Sequence, residues 1–100
     1  MKMAKTQEFD PAELLDDQET QARYLRLALE EDGLPGLMQA LGTVARARGM
    51  ASVAEATGLG RESLYKTLRE TGNPRVETLM QVLDALGMRL TVEPAGTPLT

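Results

Sequence analysis

The sequence predicts an all-α domain of five helices followed by one short C-terminal β-strand, and three observations predict it. Only Phe9, Tyr24 and Tyr65 are aromatic among 100 residues, so the core must be built from Leu, Val, Ala and Met. That mixture favours helices over a sandwich, which wants more β-branched and aromatic residues. Apolar positions recur at the helical period through most of the chain, in segments punctuated by glycine and proline. Only Met88-Arg89-Leu90-Thr91-Val92-Glu93 alternates with the period of a half-buried strand.

The length is that of one domain with a modest core. Residues 1–9 are polar and read as a flexible arm, 10–93 as the single helical domain, and 94–100 as a flexible tail. Asp10-Pro11 is a helix start, an acid at the cap and proline at the first helical position. PAELL then gives one or two turns. Asp16 with Glu19 three residues later resembles a capping box and opens a longer helix through Glu31. Tyr24, Leu25, Ala28 and Leu29 fall on one face of it, and Gly33 stops it. Pro35 starts a second helix with Leu37, Leu41, Val44 and Ala45 inward, and Arg46 and Arg48 in a last turn that suits cations. Two short helices flank Gly58-Leu59-Gly60. Thr71-Gly72-Asn73-Pro74 is a turn cluster, and a fifth helix follows with Val76, Leu79, Leu83 and Leu86 on its core face and Gly87 as its stop.

A lone strand has nothing to pair with inside its own domain. Its edge is met by a second copy, by a partner, or by water. Met88, Leu90 and Val92 share one side of it and mark a candidate dimer seam.

The chain has no cysteine and no histidine. That removes disulfides, thiol nucleophiles, Cys/His zinc sites and the usual general base, so neither an enzyme nor a metal or cofactor protein is expected. No apolar run approaches the ~20 residues of a membrane helix. MKMAKTQEFD has two lysines without an apolar stretch behind them, so no signal peptide is expected and the expected location is cytoplasmic. The net charge of −4 argues against nucleic acid until its distribution is considered. Residues 1–45 carry four basic residues against nine acidic ones, a net of −5; residues 46–100 carry seven against six, a net of +1. Phosphate contacts belong to the second half.

The stretch VAEATGLGRESLYKTL, residues 53–68, admits three readings. A phosphate loop would need a third glycine where Ser63 stands and a strand before Gly58, and VAEATG is helix-forming. A helix-turn-helix needs a small residue where two short helices cross, and Ala54 supplies it. It needs a residue tolerant of positive φ four positions on, and Gly58 supplies it. Val53, Leu59, Leu64 and Leu68 anchor inward. Arg61, Glu62, Tyr65, Lys66 and Arg69 are left outward. Thr67, at the usual second inward position, packs only by its methyl. The third reading is a plain helical hairpin with a solvated basic face.

FDPAELLDD, YLRLALEEDG, LMQALGTVARARGM, AEATGLGRESLYKTL and GNPRVETLMQVLDALGMRL together resemble the addiction-module antidote proteins. These are Xre-type helix-turn-helix antitoxins related to the HigA group. Two departures stand out. Gly60 replaces the serine the family generally carries there, and Met50-Ala51-Ser52 replaces the family's usual helix entry. The resemblance implies a lambda-repressor-like domain, a helix-turn-helix at about 50–69, double-stranded operator DNA as one partner and a small basic RelE/ParE-like toxin as another.

On that reading Arg61 is the candidate for direct readout, since its fork can take guanine O6 and N7 together. Glu62 can accept from cytosine N4 or orient Arg61. Tyr65 can touch a thymine methyl or a phosphate, or lean on its own helix. Lys66, Arg69, Ser52, Asn73 and Arg75 are phosphate candidates, each with a solvated surface residue as the alternative. Such proteins bind as two-fold dimers on palindromes. The acids Glu8, Asp10, Glu13, Asp16, Asp17, Glu19 and Glu30–Asp32 would face a basic toxin, or cap helices and keep the chain in solution. The competing function is an Xre-family transcriptional regulator of the phage-repressor type with no toxin partner.

Overall fold

The computed structural model of the chain describes residues 17–96. The expected arm at 1–9, the turns of PAELL, the carboxylates of Glu8, Asp10, Glu13 and Asp16, and the end of the tail lie outside the described residues. The described chain is mostly helical: α1 is Gln18–Arg48, α2 Met50–Thr57, α3 Arg61–Thr67 and α4 Val76–Ala85.

Helix α1 starts one residue later than the Asp16–Glu19 pairing suggested. Asp17 is the cap: its carboxylate accepts from the Glu19 N–H at 3.0 Å and from the Thr20 hydroxyl at 2.6 Å. The hydroxyl donor, more than the backbone donor, holds the Asp17 carboxyl below its ordinary pKa. The helix breaks at Gly33, whose backbone (φ 68, ψ −154) is not helical, and Pro35 follows inside the second segment. Proline cannot donate to the carbonyl four residues back, so the ladder fails where glycine already bends it.

The second segment of α1 is the centre of the core, with Met38, Leu41, Val44 and Ala45 fully buried. Leu25 joins it from the first segment, Val53 from α2, Leu64 and Leu68 from the third helix, and Val82, Leu83 and Leu86 from the fourth. Helix α2 packs against α1, α3 and α4 and so sits at the crossroads of the fold. One contact is very close. A Cβ on Gly42 would collide with the carbonyl oxygen of Leu68, so only glycine lets the end of α3 approach α1 this tightly.

Two expected core positions are corrected. Leu29 is 47% exposed and Val76 63% exposed. Leu29 lies one turn beyond Leu25 on the same face, where it lines an open apolar groove instead of the closed core. Val76 opens α4 and lies at the end of that helix.

No strand forms at Met88–Glu93 among the described residues of this single chain. The reason lies in how α4 ends. Gly87 takes φ 78, its N–H donates to the Asp84 carbonyl at 2.9 Å, and the Met88 N–H donates to the Leu83 carbonyl at 2.8 Å. This is the paired bonding of a Schellman cap. Met88 therefore belongs to the helix end and packs on the core, while Leu90 and Val92 continue outward without a ladder partner among the described residues.

Candidate nucleic-acid interface

Helix α3 is aimed by the turn before it. Gly58 sits in the left-handed region (φ 77, ψ 6) and its N–H donates to the Ala54 carbonyl, closing α2. Nothing lies within 4 Å of where its Cβ would be, so its role is conformational. Thr57 secures the same turn. Its hydroxyl donates to the Val53 carbonyl at 2.9 Å and accepts from the Leu59 N–H at 3.2 Å. Leu59 is thereby drawn onto the core beside Ala54. Gly60 (φ −73, ψ 152) then opens α3 with no side-chain cap, as a glycine must.

From that start the side chains of α3 sort by period. Leu64 and Leu68 are buried and Thr67 half-buried on the inward side. Arg61, Glu62, Tyr65 and Lys66 are exposed, and their spacing of one, four and five residues places them on one outward face. The structure thus gathers four of the sequence-selected residues into a single surface of two cations, a carboxylate and a phenol.

The other candidates are exposed but separate. Ser52 lies in the first turn of α2, Asn73 in the linker to α4 and Arg75 at the cap of that helix. Arg69 has a neighbour that sequence spacing did not bring to it. It lines a hollow of about 350 Å³ together with Arg46, from the last turn of α1, and with Gln39 and Glu70. At the seam positions, Met88 and Leu90 line a largely apolar groove of about 410 Å³ with Leu25, Leu29, Leu37 and Leu83, and Val92 stands 93% exposed beyond it.

Sequence reading missed a polar cluster that ties these parts together. Gln21 is fully buried, and Arg48 donates to its Oε1 at 2.8 Å. The Leu86 carbonyl accepts from Gln18 Nε2 at 3.1 Å and from Arg48 at 3.4 Å. Both ends of α1 and the end of α4 meet there. The signal was present, because Gln21 precedes Leu25 by one helical turn and shares its face, but a polar residue does not register in an apolar pattern.

Among the described residues no group of acidic side chains could hold a metal ion, and no helix is long and apolar enough to cross a membrane. The family comparison supplies what geometry alone does not: residues 5–94 match the model of the family described as "Probable addiction module antidote protein". The chain belongs to that antidote family. An uncharacterized protein of Haemophilus influenzae strain Rd is 43% identical to it over 86 residues, covering 86% of this chain and 89% of the relative. No solved structure matches. Membership of an antidote family implies a toxin as partner, and an antitoxin role in a toxin–antitoxin pair.

Proposed function

We propose that this antidote protein is the antitoxin of a type II toxin–antitoxin module. It neutralises a RelE/ParE-like toxin by direct binding and represses its own operon as a sequence-specific DNA-binding protein. In this reading α2 and α3 are the two helices of an Xre-type, lambda-repressor-like helix-turn-helix, and α3 enters the major groove with its first turn at the base edges. The observation that carries it is the division of α3. Leu64 and Leu68 fix one side in the core, and Arg61, Glu62, Tyr65 and Lys66 project from the other. Arg61 reads a guanine; Lys66, Arg69, Ser52, Asn73 and Arg75 take phosphates.

The protein acts in the cytoplasm as a homodimer, which supplies the second half-site of a palindromic operator. Leu90 and Val92, exposed and with no ladder partner among the described residues, support a seam in which two copies pair the expected 88–93 strand from Arg89 onward, beyond the capped Met88. The chain works by binding alone, without catalysis or cofactor.

Co-purification with the product of the adjacent reading frame tests the toxin half of the reading. Operator titration with and without that product tests the other half. A stable complex with a small basic protein, together with binding of the operon's own promoter, is the expected result. Promoter binding without any complex favours an Xre regulator of the phage-repressor type; a complex without promoter binding leaves an adaptor that only binds protein.

A further inference from the structure

The break at Gly33 does more than bend α1. It leaves a hollow of about 330 Å³ between the two segments of the helix, on a surface that the DNA reading does not use. Its floor is made of small residues, Ala28, Gly36 and Ala40, and the approach there is tight: a Cβ on Gly36 would lie 2.6 Å from the Ala28 carbonyl oxygen. Leu27 forms a wall and is 40% exposed; Leu34, at the kink itself, is 44% exposed. Glu31 and Asp32 line one side of the hollow, and Glu30 adds a third exposed carboxylate beside them.

Such a hollow has a definite chemical preference. The carboxylates repel phosphate, which disfavours nucleic acid at this edge. Exposed leucines beside a floor of small residues favour an aliphatic side chain inserted from outside, and the acidic edge favours a cation next to it. We propose that this hollow is where the antitoxin docks its toxin, by receiving a segment whose aliphatic side chain is flanked by arginine or lysine. This rests on the antitoxin reading above and adds the place and chemistry of the contact. It puts the toxin on α1 and leaves the outward face of α3 free for DNA.

The test uses the full chain and the purified product of the adjacent reading frame as the probe. Two variants probe the hollow, Leu27→Ser and the double substitution Glu31→Lys with Asp32→Lys. All three positions are exposed, so melting temperature and operator binding serve as controls and are expected to hold. Each variant should weaken the complex at least about tenfold. The wild-type complex should also weaken as salt rises, with the charge-reversed variant losing that dependence. Wild-type affinity in both variants would overturn the docking site while leaving the antitoxin reading intact. Absence of any complex with the wild-type chain would overturn the antitoxin reading itself, and the docking site with it.

Discussion

Arg48 donates to the Oε1 of Gln21 at 2.8 Å, joining the last turn of α1 to its first across the break in that helix. The bond is short, its acceptor belongs to a fully buried residue, and the same guanidinium reaches the Leu86 carbonyl at the end of α4. One side chain thus holds the acidic first segment of α1 against the half of the molecule that carries α2 and α3.

Arg48→Ala should therefore destabilise the fold by about 1–3 kcal/mol, the range for depriving a buried polar group of a charged partner. Gln21→Leu removes the need for that partner. In the double variant the loss should be smaller than the sum of the two single losses, which a thermal or urea double-mutant cycle measures.

Gly42→Ala places a methyl against the Leu68 carbonyl oxygen. The backbone must shift to admit it, at a cost of about 1–3 kcal/mol. Because Leu68 ends α3, the shift should also tilt the outward face. Weaker operator binding by a chain that remains folded, as circular dichroism reports, is the expected pair of results.

Gly60→Ser works in the opposite direction. The backbone at Gly60 is open to any residue and nothing lies within 4 Å of the added Cβ. The hydroxyl supplies the missing cap, and the unfolded chain loses freedom, so stability should rise by about 0.4–1 kcal/mol in urea titration.

Asp17 gives a pH signature. Its carboxyl titrates below the ordinary value in the folded chain, chiefly because the Thr20 hydroxyl donates to it. A lowered folded pKa means that the ionised form favours folding. The contribution is present above the ordinary carboxylate range of about 4 and is lost as pH falls through the lowered folded value. Asp17→Ala should melt below wild type at neutral pH, and the difference should close as the solution is acidified past that range.

These cases also mark what the sequence made legible. Leu37, Leu41, Val44 and Ala45 were readable because a helix that buries one face must repeat at its own period. Gly33, Gly58 and Gly87 were readable as chain-direction changes because each takes a positive φ. Periodicity assigns a face, but it does not say where along the axis the neighbouring helix stops, and so Val76 falls on the core face by pattern while it is exposed in the fold. It also cannot find Gln21, whose inward position is apolar in pattern and polar in chemistry. The strand at Met88–Glu93 shows a different limit. Alternation describes which side chains share a side, but a strand forms within one chain only where that chain supplies a ladder partner, and at the start of this segment the Met88 N–H is already committed to Leu83. In the candidate interface, Arg61, Glu62, Tyr65 and Lys66 share a face by local geometry alone. The meeting of Arg69 with Arg46 depends on the close packing of Gly42 against Leu68, which no local pattern announces.

The central claim is that the outward face of α3 reads DNA, and one titration tests it most directly. Operator DNA is titrated with the wild-type chain and with Arg61→Ala over a series of salt concentrations. Wild-type binding should fall steeply with salt, as phosphate contacts require. Arg61→Ala should cost about 1–3 kcal/mol on the operator and relax sequence preference at one position. Equal affinity and equal sequence preference in the two proteins would contradict the account.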